Sequence, residues 1–166
     1  MPNNSSVFPG IDIIPRLEAG LKKESSQNDV RVYEGKNALW GLGEELLKSH
    51  HDFLFIYSGD SLLKHTSFGE ILKNFTKRRR QIHSSKLYAI TDKNPLGIKK
   101  ESEGDTLFRE IRFVQNKLNL DSVLCVCGPK ICLISLDKNP EGIIIENEAI
   151  TKLLEFMFWN IWESIK

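Results

Sequence analysis

The chain has 166 residues, 40% of them hydrophobic and 27% charged, with a formal net charge of +1 at neutral pH. That size and composition suit one soluble domain with a sizeable core, and so small a net charge provides no global attraction to nucleic acid. The opening Met1-Pro2-Asn3-Asn4-Ser5-Ser6 has neither a cationic nor an apolar stretch, and no later apolar run reaches bilayer-spanning length, so a cytoplasmic location without membrane contact is expected.

Residues 1–10 read as a disordered arm and residues 11–29 as a linker helix, with Pro15 near its start and Leu17 and Leu21 at i, i+4 spacing. This helix is short and poorly amphipathic, so it is expected to lean on something else. Val30 to Tyr33 reads as a strand, and Glu34-Gly35-Lys36 leads into a helix carrying Ala38, Leu39, Leu42, Leu46 and Leu47. Gly41 and Gly43 each weaken that helix by about 1 kcal/mol relative to Ala, which suggests close packing on a sheet. Phe53 to Tyr57 is a buried strand. Ser58-Gly59-Asp60 ends it and opens a helical stretch with Leu62, Leu63, Phe68, Ile71, Leu72 and Phe75, with a break expected near Ser67.

The run Lys77-Arg78-Arg79-Arg80 is the strongest charge cluster; cations at a helix C-terminus complement the helix dipole and stay solvated. Lys86 to Thr91 alternates as a strand, and 92–107 reads as a long loop containing Asn94-Pro95, Gly97 and Gly104. Another strand follows at Glu110 to Val114, with Ile111 and Phe113 on one face and Arg112 on the other. A hairpin runs from Val123 to Cys127, turns at Gly128-Pro129, and returns through Lys130 to Ser135. A two-residue turn puts Cys125 opposite Cys132, but three cysteines form no secreted disulfide framework. Zinc would need a fourth ligand, and His50, His51, His65 and His83 all lie far away in sequence, so no metal or cofactor is expected. Gly142 to Glu146 is a short strand whose apolar centre predicts burial on both faces.

The closing helix carries Ile150, Leu153, Leu154, Met157, Phe158, Ile161, Trp162 and Ile165 on an expected core-facing stripe. Phe156 and Trp159 fall off that stripe, and two large exposed aromatics suggest a contact with a second subunit, or with the DNA-binding segment of a longer relative. Cover from Leu17 and Leu21 of the linker is the competing explanation. Strands separated by helices, then a run of strands, predict an α/β fold: a mixed β-sheet flanked by helices with a long C-terminal helix.

The order of hairpin, glycine-led strand and closing helix resembles a phospholipase D unit, which is built as HxKxxxxD, a Gly, a strand ending in Gly-Ser, a further strand and a helix. With Gly128 on the glycine after the aspartate, the His, Lys and Asp positions fall on Leu120, Ser122 and Cys127, and the Gly-Ser pair on Ile134 and Ser135. Only the serine remains. No nucleophile, phosphate-holding cation or orienting carboxylate is left, so no catalytic residue is expected. His83-Ser84-Ser85-Lys86 with Asp92 imitates the motif, but His and Lys three apart on a strand face opposite ways.

Across residues 11–163 the chain also resembles the effector-binding domain of the TrmB family of transcriptional regulators. Val32-Tyr33-Glu34-Gly35-Lys36, Phe53 to Gly59, Lys77-Arg78-Arg79, Arg109 to Phe113, Gly128, Ile131 to Ser135 and Gly142 to Glu146 carry the resemblance in order. It implies a phospholipase D-like sandwich over residues 30–166 that binds a small effector, a sugar in the best-known members, and pairs into a homodimer. Family members typically carry a winged helix-turn-helix ahead of the linker helix; 29 residues precede Val30 here, so this is either a truncated form or a stand-alone sensor. DNA is expected to be reached only through such an absent segment. Candidate effector contacts are Ser58, Gly59 and Asp60 at a strand end, with Arg112, Ser135 and Glu146 as further polar groups. The rival readings are a phospholipase D-like phosphodiesterase or nuclease, and a stand-alone interaction module without a ligand.

Overall fold

The computed structural model describes residues 29–82, 85–102 and 108–165. The expected arm and linker helix, with Leu17 and Leu21, lie outside those residues, as do His83 and Ser84. Seven strands form one sheet: β1 (Asp29–Glu34), β2 (Phe53–Tyr57), β3 (Leu87–Asp92), β4 (Arg109–Val114), β5 (Ser122–Cys127), β6 (Lys130–Ser135) and β7 (Glu141–Glu146). Their spatial order is β1-β7-β6-β5-β2-β3-β4. Strands β2, β3 and β4 run parallel, while β1, β7, β6, β5 and β2 pair antiparallel in succession. The sheet is therefore mixed, as the sequence predicts. Cys127 pairs with Lys130 and Cys125 with Cys132, the register expected of the Gly128-Pro129 turn. All three thiols are buried and free. Burial pushes their pKa values up, that of Cys127 to about 11.

Helices α1 (Gly35–Leu47), α2 (Gly59–Lys64) and α3 (Thr66–Ile82) follow β1 and β2. The break between α2 and α3 falls at His65 rather than near Ser67. Leu39, Leu42, Leu46 and Leu47 of α1 join Phe53, Phe55 and Phe75 in the larger core, where the Phe53 and Phe75 rings meet edge to face at 5.3 Å. Close packing on the sheet is achieved from the sheet side. A Cβ at Gly142 of β7 would lie 2.4 Å from Leu42 and 2.9 Å from Leu39, whereas Gly41 and Gly43 have ordinary room. Helix α4 (Pro95–Ser102) replaces much of the expected 92–107 loop. The Asn94 side chain accepts the Gly97 N–H at 2.8 Å as an N-cap, and Pro95 needs no donor partner in the first turn.

The Lys77–Arg80 run is not wholly solvated. Arg79 is fully buried and donates to the carbonyls of Ser85 and Phe108, and burial lowers its pKa to about 10. Arg78 instead pairs with Glu44 of α1 at 2.8 Å.

Helix α5 (Glu148–Ser164) crosses the opposite sheet face, its first turn capped by the Asn147 carboxamide. Its core-facing residues are Thr151, Leu154, Phe158, Trp162 and Ile165, packed with Leu54, Ile90 and Val126. Two expectations are corrected here. Ile150, Leu153, Met157 and Ile161, placed on the core stripe by periodicity, are exposed. Trp159, expected on the surface, packs edge to face on Tyr88 at 5.0 Å. The helix is apolar over more than half its circumference, and the sheet lies beneath only one side of that arc. For the same reason β7 is not buried on both faces: Ile144 faces α1 and is sealed, while Ile143 and Ile145 are half-buried on the α5 side.

Candidate effector site at the strand ends

The C-terminal ends of β2, β3 and β6 and the N-terminal ends of β5 and β7 lie along one edge of the sheet, a consequence of the parallel and antiparallel pairings. In α/β sheets that edge gathers polar turn residues and helix N-termini, which is why ligands bind there. Its centre is Asp92, 2% exposed at the end of β3. The carboxylate accepts the Gly59 N–H at 3.0 Å, the Leu118 N–H at 3.1 Å and the Ser58 hydroxyl at 3.4 Å. It thereby ties the β2–α2 turn and the β4–β5 connection to β3. The Asn94 carboxamide donates to the Asp92 carbonyl at 2.6 Å and lies against Gly59, where an added Cβ would come 1.8 Å from its nitrogen. Only glycine fits there.

Around this hub, Lys117 pairs with Asp60 at 2.9 Å, and the Ser61 hydroxyl donates to Asp121 at 2.9 Å. Each carboxyl–ammonium partner shifts the other: the Lys117 hydrogen bond lowers the pKa of Asp60, and Asp60 raises that of Lys117. Both groups are exposed, so solvent screens the pair and it contributes little to stability. One short helix away, Lys64 and His65 at the end of α2, Phe68, and Leu136, Asp137, Lys138 and Pro140 of the β6–β7 connection line a cleft of about 170 Å³. Apolar walls with a few convergent charged groups are the ordinary make-up of a small-molecule site.

The structure brings Ser58, Gly59 and Asp60 together in one turn on this edge. Ser135 ends β6 on the same edge, two strands from β2 and about 10 Å away at ordinary strand spacing. Arg112 and Glu146 are elsewhere. Arg112 lies on the α5 face of β4, stacks over the Trp162 ring at 4.7 Å and donates to the Trp162 and Ile165 carbonyls, closing the helix C-terminus. It lines a separate open groove of about 640 Å³ beside edge strand β4. Glu146 ends β7 at the opposite edge of the sheet, where it receives Arg31 at 3.2 Å next to the Arg31–Glu45 pair. Sequence reasoning missed Asp92, Lys117, Lys64, His65 and Lys138. Asp-Lys-Asn-Pro at 92–95 holds the local signal, a carboxylate at a strand end followed by a helix N-cap.

Of the positions aligned with the phospholipase D motif, Leu120 and Ser122 are exposed at this edge, and Cys127 is buried at the hairpin, its Sγ 3.8 Å from the His51 carbonyl. Among the described residues no group of three or more His, Cys, Asp or Glu side chains is placed to hold a metal ion. Nor is any helix among them long and apolar enough to cross a membrane.

No family model matches the chain, and no curated protein matches it in sequence. Solved structures do. The fold superimposes on TrmBL2, described as an archaeal chromatin protein with a novel mode of DNA binding, at TM-score 0.54 and 16% identity over 93% of this chain. The chain spans 57% of the length of TrmBL2. NucT from Helicobacter pylori matches at TM-score 0.59 and 10% identity, covering 83% of this chain and 98% of NucT. Nuc from Salmonella typhimurium, a phospholipase D family member, matches at TM-score 0.58 and 8% identity, covering 84% and 97%. At these identities the likeness establishes the fold: a phospholipase D-like α/β unit with a seven-stranded mixed sheet and a long C-terminal helix.

Proposed function

We propose that this chain is a non-enzymatic effector-sensing domain of a TrmB-like transcriptional regulator. It binds a small molecule, with a sugar as the first class to test, and works as a paired subunit in the cytoplasm. The observation carrying this reading is the contrast at the strand-end edge. The motif positions hold Leu120 and Ser122 there and Cys127 at the hairpin, with no imidazole to form a phosphohistidine, while a small cleft beside them keeps charged groups and apolar walls. The fold likeness to TrmBL2 agrees with a regulatory role, and DNA contact would fall to a winged-helix segment outside this sequence. The cleft volume of about 170 Å³ suits a ligand of monosaccharide size rather than a nucleotide or lipid. The ligands in this reading are Lys64, His65 and Lys138 for charge and hydrogen bonding, with the Ser58–Asp60 turn as the adjoining wall.

A thermal-shift screen of sugars and sugar phosphates, followed by calorimetry on Lys64→Ala and Lys138→Ala, tests it. A hit weakened at least about tenfold by either variant supports the site. A hit unaffected by both, or no hit in a broad screen, refutes it.

The second reading, a phosphodiesterase, is favoured by the near-complete overlap with NucT and Nuc. Turnover of bis(p-nitrophenyl) phosphate that follows the protein through purification would establish it instead.

A further inference from the structure

Helix α5 covers only part of its sheet face. The helix packs over β5 and β6 and reaches β3 through Trp159 on Tyr88, so its other flank looks across β7 and β1. On that side the cross-strand rows Val32–Ile143–Leu133 and Val30–Ile145–Ile131 are apolar throughout; Ile131 is already buried, while Leu133 is exposed. Arg31 and Tyr33, the polar neighbours in β1, point to the opposite face and bond Glu45 of α1. Val30 and Val32 are 61% and 60% exposed and Phe156, on the crest of α5, is 65% exposed. Of the exposed large hydrophobics among the described residues, eight belong to this one surface, and together they leave on the order of 800 Å² open. A monomer's largest apolar patch is about 300–600 Å², and each partner in a standard interface contributes about 800 Å².

The shape selects the occupant. The surface is a ridge, α5, lying beside a furrow floored by β7, β1 and, where the helix has crossed away from it, the Leu133 end of β6. Three strands at ~4.8 Å spacing make a floor roughly 10–14 Å wide, and a helix with its side chains is about 10–12 Å across. Ridge and furrow are thus matched in width, and a two-fold operation seats each ridge in the other's furrow. We infer that this face is a self-complementary interface for a second copy of the chain, with the α5 crest at Leu153, Phe156 and Met157 resting on the partner's Val30, Val32 and Leu133. The two α5 helices then form one shared layer between two sheets, each covering half of its own sheet and half of its mate's. This deepens the pairing part of the proposed function. It does not depend on an effector, because the surface lies on a sheet face and the cleft on the sheet edge.

β1 begins at Asp29 on the rim of the furrow, so cover by the chain itself is the rival occupant. Sedimentation velocity on the full 166-residue chain, without added ligand, is expected to show a dimer. Leu153→Glu with Met157→Glu should weaken the dimer at least about 100-fold while leaving the far-ultraviolet circular dichroism unchanged. If that pair fails to fold, Val32→Glu on the furrow side makes the same test. Mixing Val32→Cys chains with Phe156→Cys chains under mild oxidation should give an intermolecular disulfide, since the native thiols are buried. A monomer at high concentration, a dimer indifferent to these charges, or an intrachain disulfide between Leu21→Cys and Val32→Cys overturns the inference. Failure of the effector screen leaves each of these readouts intact.

Discussion

Replacing Asp92 tests whether a single buried carboxylate organises the strand-end edge. In Asp92→Ala the Gly59 and Leu118 N–H groups lose acceptors at 3.0 and 3.1 Å, in a place where the carboxylate was 2% exposed. A hydrogen bond to a charged group contributes about 1.5–3 kcal/mol, and a buried donor left without a partner costs about 1–3 kcal/mol. Two such donors, with the weaker Ser58 contact, give an expected loss of roughly 3–5 kcal/mol. For a domain of this size each kcal/mol lowers Tm by about 2–4 °C, so the melting temperature should fall by roughly 6–20 °C. Asp92→Asn keeps one oxygen, which can serve either the Gly59 or the Leu118 N–H, while its amide turns a donor toward the other. It should therefore cost about half as much. Urea denaturation of the wild type and both variants, with equal m-values, measures the series. A loss under about 1 kcal/mol in Asp92→Ala, or Asn as damaging as Ala, would refute the hub role.

Glu45 of α1 lies beneath β1 and β6, accepting from Tyr33 and paired with Arg31 at 2.5 Å and Lys130 at 3.3 Å. Burial pushes its pKa up, but the Tyr33 and Lys130 hydrogen bonds and the Arg31 charge outweigh that and hold it below the usual carboxylate value. Its stabilising contribution is then complete above the unfolded value of about 4.3 and is lost as pH falls through the lower folded value. Wild type should exceed Glu45→Gln in stability at neutral pH by about 1–3 kcal/mol, and the gap should close in acid; a gap independent of pH would contradict this. Phe158, 2% exposed and stacked on Trp162 at 5.7 Å, anchors α5. Phe158→Ala should cost about 3–5 kcal/mol in denaturant titration, whereas Leu153→Ala in the monomeric state should cost under about 1 kcal/mol. Equal costs would mean the assigned core face of α5 is wrong.

Local rules carried much of the fold. Period-two runs and turn residues located the strands within a residue or so, because side-chain alternation and the Gly128-Pro129 turn are properties of a few neighbouring residues. The strand-end turn Ser58-Gly59-Asp60 was legible for the same reason, although Arg112 and Glu146 were not separable from it. Residue parity assigns a side chain to a sheet face, but which face and which edge hold the cleft depends on strand order, and β4 and β7 lie on opposite sides of β2 in the assembled sheet. Asp92 escaped notice because its distant donors are Ser58, Gly59 and Leu118, 26 to 34 residues away in the chain.

The amino-acid sequence by itself determined the succession of strands and helices and the hairpin register. The tertiary structure alone decided which side of α5 is core. With apolar residues around more than half the helix, several stripes satisfy the same periodicity, and the choice falls to the sheet beneath: it takes Phe158, Trp159 and Trp162 toward Tyr88 and leaves Leu153, Phe156 and Met157 facing out.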